Sequence, residues 1–292
     1  MTCDKWFLFA AGLALGLIAG GCDWAGPDAS GERGGSDLND VLNDRLPLAD
    51  SPARIFCDLS HFDINLPGGF GPDPSIETDT GCGVRLTRSV ESQAMAIYLG
   101  NPIALEEDGS FRTHFSFRIH GAGGAEDDDG PGADGFVFVL QRAAASALGV
   151  GGGSLGYGRI WASAGVEFDT YSNHGLHAGD EFINDPDGNH VGINVEGSLE
   201  SLETASVPKR LNDGDVWWVW IDYDGQVEQL SVRLSESEER PADALLSAEI
   251  DIPGVLGGTT AWIGFTAATG GGYQRHDILS WQFQTEGRSI AE

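Results

Sequence analysis

Phe111-Arg-Thr-His-Phe-Ser-Phe-Arg-Ile-His120 is the stretch whose pattern decides the fold. Phe111, Thr113, Phe115, Phe117 and Ile119 alternate with Arg112, His114, Ser116, Arg118 and His120. A period of two sends the first set to one face of a strand and the second to the other, so this is a strand with one apolar face to bury. Downstream, Gly135-Phe-Val-Phe-Val-Leu140 is apolar without interruption, as a strand covered on both faces would be. Further strands are expected at 84–88, 95–99, 165–170, 190–195, 216–223, 229–234, 246–250, 262–267 and 278–284, separated by Gly, Asp and Asn clusters. The best helical candidate, Arg142–Leu148, is a couple of turns long. The expected architecture is therefore all-β: one large antiparallel, jelly-roll β-sandwich without internal repeats.

Composition agrees. Gly is 43 of 292 residues, about twice the usual ~7%, and has no three-residue period, which excludes collagen and implies many tight turns. With 45 acidic against 16 basic residues the formal net charge is -29, so a nucleic-acid backbone would be repelled.

Residues 1–22 read as an export signal: Lys5, an apolar run from Trp6 to Ile18 too short to remain as a membrane span, and small residues Ala19-Gly20-Gly21 before Cys22. Small residues abutting a Cys resemble a bacterial lipobox, with Cys22 as the lipidated first residue of the mature chain. Cleavage after Gly21 by an ordinary signal peptidase is the alternative. The expected location is thus an exported, membrane-anchored lipoprotein at the cell surface or in the periplasm, or else a secreted protein; any membrane contact is through the lipid anchor only. Cys3 leaves with the signal, so Cys57 and Cys82 remain as an even pair in an oxidising compartment and are expected to form a disulfide. Residues 23–51, rich in Gly, Asp, Ser and Pro, read as a flexible tether, 52–286 as the folded domain and 287–292 as a tail.

The chemistry concentrates in Val166-Glu-Phe-Asp-Thr-Tyr-Ser-Asn173 and in Asn184-Asp-Pro-Asp-Gly-Asn-His-Val-Gly-Ile-Asn194. Glu167, Asp169 and Tyr171 alternate and leave one face of a strand. Close carboxylates repel unless a cation lies between them. Oxygen donors from Asp169, Asn173, Asp185 and a backbone carbonyl suit Ca²⁺, while His190 with Glu167 and the Asp residues suits Mn²⁺ or Zn²⁺. Glu126-Asp127-Asp128-Asp129 reads as a solvated acidic loop, and His174 and His177 as solvated loop residues.

These segments resemble the metal-binding signature of the legume-type (L-type) lectins, V-E-F-D-T-Y-x-N followed by D-P-x-x-x-H-[IV]-G-I-[DN]-V. The resemblance extends to Ala133-Asp134-Gly135-Phe136, to the glycine loop Gly151-Gly-Gly-Ser-Leu-Gly156, and to Trp262–Gly270 with Leu279–Phe283 as terminal strands. It implies the concanavalin A-like version of the sandwich and non-catalytic, metal-dependent carbohydrate binding. The transition-metal ligands would be Glu167, Asp169, Asp185 and His190, and the Ca²⁺ ligands Asp169, the Tyr171 carbonyl, Asn173 and Asp185. A sugar would meet the Asp134 carboxylate, the Gly153 amide and the Asn173 side chain, with Tyr171 offering a ring or else serving as a packed strand aromatic. The last recognition loop, Gly270 to Arg275, leaves contacts to the backbone at Gly271 and Gly272, to Tyr273 or to Gln274. The resemblance further implies a cis Ala133–Asp134 peptide and glycans or glycoconjugates as partners. Dimerisation is common in the family, so a homodimer is among the implied assemblies.

Two rivals share this fold. Laminarinase-type glycosidases carry E-x-D-x-E on one strand, with the two Glu as nucleophile and acid/base. Here Glu167 and Asp169 fill the first two positions and Tyr171 the third, so the acid/base is missing. A β-sandwich glycoside hydrolase or lyase is thus one alternative; the other is a metal-stabilised adhesion protein that binds no sugar.

Overall fold

A computed structural model describes residues 61–65, 83–178, 181–285 and 288–289. The expectations for the signal, the Cys22 lipid, the 23–51 tether and the Cys57–Cys82 disulfide lie outside these residues.

The described chain forms β1 (Phe62–Asn65), β2 (Val84–Thr87), β3 (Ala94–Leu99), β4 (Ile103–Ala104), β5 (Phe111–Gly124), β6 (Glu126–Asp127), β7 (Gly130–Pro131) and β8 (Gly135–Gln141). There follow β9 (Ser163–Asp169), β10 (His177–Ala178), β11 (Glu181–Phe182), β12 (His190–Val195), β13 (Glu203–Ser206), β14 (Val216–Asp224), β15 (Gln229–Ser235) and β16 (Leu246–Glu249). A five-residue helix α1 (Ile252–Leu256) precedes β17 (Thr260–Ala268), β18 (Gly272–Thr285) and β19 (Arg288–Ser289). One sheet runs β1-β3-β17-β8-β9-β12-β13 with β4 beside β17; the other runs β16-β15-β14-β5-β18-β19 with β2 beside β18. Neighbours pair antiparallel throughout.

The alternation in β5 becomes burial. Phe111, Thr113, Phe115, Phe117 and Ile119 are fully buried between the sheets. Across the gap lie Phe136 and Phe168, whose rings stack at 4.8 Å, and Phe265, edge-on to Phe115 at 5.2 Å. Strand β8 is buried on both faces, as its unbroken apolar run requires. Phe136, Phe138 and Leu140 face the inter-sheet core, while Val137 and Val139 join Tyr98, Leu155, Tyr157, Ile183 and Leu199 in a second cluster on the outer side of that sheet. The loop 142–162 therefore folds back over the first sheet, which brings the glycines at 151–153 to its site-bearing end.

The polar face of β5 is not simply wetted. Arg112 donates to Asp222 at 2.9 Å, and the same buried carboxylate accepts from Arg233 and Arg240. Arg142–Leu148 is not helical: the Gln141 side chain accepts from the amides of Ala143 and Ala144 and donates to the Ala144 carbonyl, closing a tight turn. Helix α1 instead begins at Asp251, which caps the Gly254 amide, and stops at Gly257 in the left-handed region.

Candidate functional site

The site forms where β8, β9 and β12 lie side by side. In β9, Ala164, Val166 and Phe168 face the core, so Glu167 and Asp169 must face the other way. In β12, Val191 and Ile193 face the core, so His190, Gly192 and Asn194 share the outer face with those acids. Register completes the constellation: His190 pairs with Asp169 and Gly192 with Glu167. A side chain at 192 has no room, because a Cβ there would lie 2.8 Å from Ser201 Oγ and 3.0 Å from Glu167 Cδ.

Asp169, Asp185 and His190 present ligand atoms within 4.8 Å of one another, all buried. The Asp187 carbonyl lies 3.1 Å from His190 Nδ1, so Nδ1 carries a proton, and Nε2 is the nitrogen that a neutral ring could turn to a cation. That Nε2 is buried without a hydrogen-bond partner, 3.5 Å from Glu167 Oε1 and 3.8 Å from Asp185 Oδ1. Glu167 borders the cluster with both oxygens engaged, by Ser201 at 2.7 Å and Asn194 at 2.6 Å.

Electrostatics tell the same story. Burial, then repulsion from Asp185, pushes the Asp169 carboxyl well above the ordinary range. Burial raises Asp185 to about 6. Burial would raise Glu167 too, but the His190 ring, Ser201 and Asn194 outweigh it and hold that carboxyl low. Burial lowers His190, yet Glu167 and the two Asp residues raise it to about 9. Two buried carboxyls that resist ionisation, beside an ionised Glu167 and a histidine ring, form a donor set that could hold a divalent cation, whose charge would favour ionised carboxylates and a neutral imidazole.

Strand β9 ends at Asp169, one residue short of the expected Thr170, where the Asp134 carbonyl takes both the amide and the hydroxyl of Thr170. Tyr171 therefore lies past the strand rather than on its acidic face; its amide donates to Asp169 Oδ1 at 2.8 Å. Asn173 is tied in through its amide, which donates to Asp185 Oδ2 at 2.6 Å. His174 is exposed, as expected of a solvated loop residue, and also contacts the Asp185 carbonyl through Nδ1 at 2.8 Å. The β6–β7 hairpin is likewise engaged: Asp127 Oδ2 accepts the Ser172 amide, and the hairpin walls a cleft of about 730 Å³ with Tyr171, His174 and Asp187.

Beside the cluster, Asp134, Gly153, Asn173 and the start of the last loop come together. The Ala133–Asp134 peptide is cis. Asp134 is 4% exposed, its Oδ2 has no partner, and burial followed by Asp185 raises it to about 7. Asn173 Oδ1 is also buried and unpartnered. A Cβ at Gly153 would stand 2.5 Å from Asn173 Oδ1, so a side chain there would displace Asn173, and one at Gly270 would stand 3.2 Å from Asp134 Oδ2, a tight contact. Gly271 and Gly272 stand further back: the Gly271 carbonyl accepts from Ala125, and Gly272 packs on Ala133. Gln274, read as a candidate surface contact, is fully buried behind the site. The supporting residues Asp187, Asn194, Thr170 and Ser201 carried no separate signal in the sequence.

The fold and the site together define a class of protein: a two-sheet antiparallel β-sandwich with a buried acidic cluster beside an unpartnered Asp/Asn pair. The legume lectin domain profile matches residues 73–292, so the chain belongs to the legume lectin family. It is 32% identical over 229 residues to a probable L-type lectin-domain containing receptor kinase S.7 of Arabidopsis thaliana, covering 70% of this chain and 31% of that one. It is 34% identical to the bark agglutinin I polypeptide A of Robinia pseudoacacia, covering 62% of this chain and 61% of that one. The chain thus spans about a third of the length of the receptor kinases it matches. Among solved structures, the lectin UEA-II complexed with galactose superimposes with a TM-score of 0.60 at 25% identity, over 77% of this chain and 93% of that one.

Proposed function

We propose that this protein is a metal-dependent, non-catalytic lectin that binds neutral glycans. The observation that carries the reading is the pair of buried, unpartnered acceptors, Asp134 Oδ2 and Asn173 Oδ1, set close against the backbone of Gly270 and Gly153. An ionised Asp134 would accept hydrogen bonds from two sugar hydroxyls, the Gly153 amide would donate one, and the Asn173 side chain would complete the set. Such a polyhydroxyl ligand satisfies groups that otherwise stay unpaired in the interior, a state that costs about 1–3 kcal/mol each. The galactose complex of the related UEA-II lectin supports this ligand class.

Ca²⁺ would be held by Asp169, the Tyr171 carbonyl, Asn173 and Asp185, and Mn²⁺ or another transition metal by Glu167, Asp169, Asp185 and His190. The cations supply positive charge that keeps the pocket's carboxylates ionised. This chain's own residues then hold Asn173 and Asp134 in place through Asp185 and Thr170. The Lys5-to-Cys22 signal and the tether through residue 51 support export and lipid anchoring, with the binding face held away from the membrane. Weak single-site affinity would then be multiplied by surface display.

A glycan array probed with the purified full chain in Ca²⁺ plus Mn²⁺, and again after EDTA, tests the reading. Binding to a defined sugar lost in EDTA is expected. No binding in either condition by a folded sample would overturn it, and reducing-end release from a polysaccharide abolished in Glu167→Gln would favour the hydrolase instead.

A further inference from the structure

Behind the Asp134 turn lies a run of hydrogen bonds with no solvent access. Gln274, His276 and Thr87 are fully buried, Thr170 and Asn212 nearly so. Thr87 Oγ1 donates to the Gln274 carbonyl at 2.9 Å, so it must accept from His276 Nδ1, 2.6 Å away. That places the proton of a neutral imidazole on Nδ1 and leaves Nε2 as an acceptor. The Gln274 amide then donates one hydrogen to His276 Nε2 at 3.0 Å and the other to Thr170 Oγ1 at 2.5 Å. With its lone pair taken, the Thr170 hydroxyl has one use left for its proton, the Asp134 carbonyl at 2.7 Å. Gln274 Oε1 accepts from Asn212 Nδ2 at 2.9 Å, and Gly132, two residues before Asp134, packs so tightly on Oε1 that a Cβ there would stand 2.5 Å away. Every donor and acceptor in the run has one consistent direction, and a primary amide alone supplies two donors and an acceptor at that point.

We propose that Gln274 is a positioning residue for the carbohydrate site: its amide orients the Thr170 hydroxyl, which with the Thr170 amide fixes the main chain that presents the Asp134 carboxylate. The proposal rests on the lectin reading for its consequence in sugar binding, but not for its geometry. Gln274 itself touches no ligand. A group that merely filled space would be replaceable by any side chain of its volume, whereas this one is defined by its hydrogen-bond directions. Glutamate in its place offers no second donor, so the Thr170 hydroxyl turns away from the Asp134 carbonyl.

The test uses the full chain with Ca²⁺ and Mn²⁺ and compares Thr170→Val, Thr170→Ser and Gln274→Glu. Two readouts are taken: the ¹³C shift of the Asp134 carbonyl by NMR, and galactose affinity by titration calorimetry. Thr170→Val and Gln274→Glu should both move the Asp134 carbonyl signal and weaken galactose binding roughly three- to tenfold, the effect of one neutral hydrogen bond. Thr170→Ser, which keeps the hydroxyl, should restore both to within about twofold of the parent, an expectation from retaining that bond. A lower melting temperature with the Asp134 signal and affinity unchanged would overturn the proposal and leave the network a structural one. If Gln274→Glu does not fold, the Val and Ser pair decides. If the parent binds no galactose while the carbonyl signals shift as described, the positioning stands and galactose is removed as a ligand.

Discussion

Replacing Gly192 by Ala perturbs the site at its tightest point. The added methyl would stand 3.0 Å from Glu167 Cδ and 2.8 Å from Ser201 Oγ, against the 3.5–4.0 Å of an ordinary carbon contact. The Glu167 carboxylate must then retreat by roughly 0.5–1 Å. It has little freedom to do so, because its oxygens are held at 2.7 Å by Ser201 and 2.6 Å by Asn194. A retreat of that size stretches both bonds toward 3.5 Å, where they cease to count. Hydrogen bonds to a charged group contribute about 1.5–3 kcal/mol each. With one lost outright and the other weakened, the expected destabilisation is about 2–4 kcal/mol, a large part of the ~5–15 kcal/mol that holds a domain folded.

Urea denaturation of the metal-free full chain, followed by tryptophan fluorescence, reads this as a lower midpoint at unchanged slope. The companion measurement is the same substitution in a Glu167→Ala background. There the Glu167 contact is gone and Ser201 Oγ, released from that carboxylate, can rotate away from the methyl, so the second step should cost less than about 1 kcal/mol and the two changes should couple by ~1–3 kcal/mol. A single-variant effect below ~0.5 kcal/mol, or simple additivity in the pair, would refute the claim that the glycine exists to admit the Glu167 carboxylate.

Asp134→Asn should abolish glycan binding on the array, yet raise the stability of the metal-free protein at pH 8. The folded-state value for Asp134 is raised to about 7, so the fold holds that proton more tightly than the unfolded chain. The group's stabilising contribution is complete below ~pH 4 and lost as pH rises to ~7, by at most about 4 kcal/mol; an equal parent-to-variant difference at pH 4 and pH 8 would contradict this. His276 works in the opposite sense: burial lowers it to about 3, so stability is present above ~pH 6.5 and declines as pH falls toward 3. Acid titration of the melting temperature should therefore show a loss below pH 6.5 that is absent in His276→Asn. Asp222→Ala should destabilise by about 3–5 kcal/mol, since it leaves the buried Arg112 and Arg233 and the half-buried Arg240 without their shared carboxylate; a change in urea midpoint within error would refute that.

How much of this was legible follows from what each feature depends on. Strand β5 and the doubly buried β8 could be read because period and polarity are local, and His190–Val195 matched to the residue. The short elements β1, β4, β13 and α1 offered too few residues for a period to show, and Phe62–Asn65 becomes a strand only because β3 lies beside it. Within the site, Glu167, Asp169 and His190 were legible because two strands of fixed alternation carry them. Ser201 and Asp187 were not, since they arrive on loops whose course the sequence does not state. Gln274 is no outer contact: it stands past three glycines and Tyr273 in a stretch that reads as a loop, and its burial depends on where β18 runs beside β5, with a register shift between Tyr273 and Arg275 that the sequence does not announce.

The same dependence explains why stability and function divide the site between them. Asp169, Asp185 and Asp134 are buried carboxyls raised above their ordinary range, so each disfavours the cation-free fold at neutral pH. Glu167 is the exception: the His190 ring, then Ser201 and Asn194, outweigh its burial, whereas Asp134 Oδ2 has no donor. An acid supported on both oxygens is held by the scaffold, and one with a bare buried oxygen gains most from a ligand. On that contrast Glu167 is the proposed transition-metal ligand that the scaffold supports most fully, Asp169 and Asp185 are the proposed ligands common to both cations, and Asp134 is the proposed sugar anchor. Glu167→Gln, which keeps an oxygen donor beside the same two hydrogen-bond partners, should therefore weaken Mn²⁺ binding, measured by calorimetry, by ~10–100-fold, while Asp169→Asn, at a ligand proposed for both cations, should weaken it further and weaken Ca²⁺ binding as well. Equal losses of Mn²⁺ binding in the two variants, with Ca²⁺ binding untouched in both, would refute that ranking.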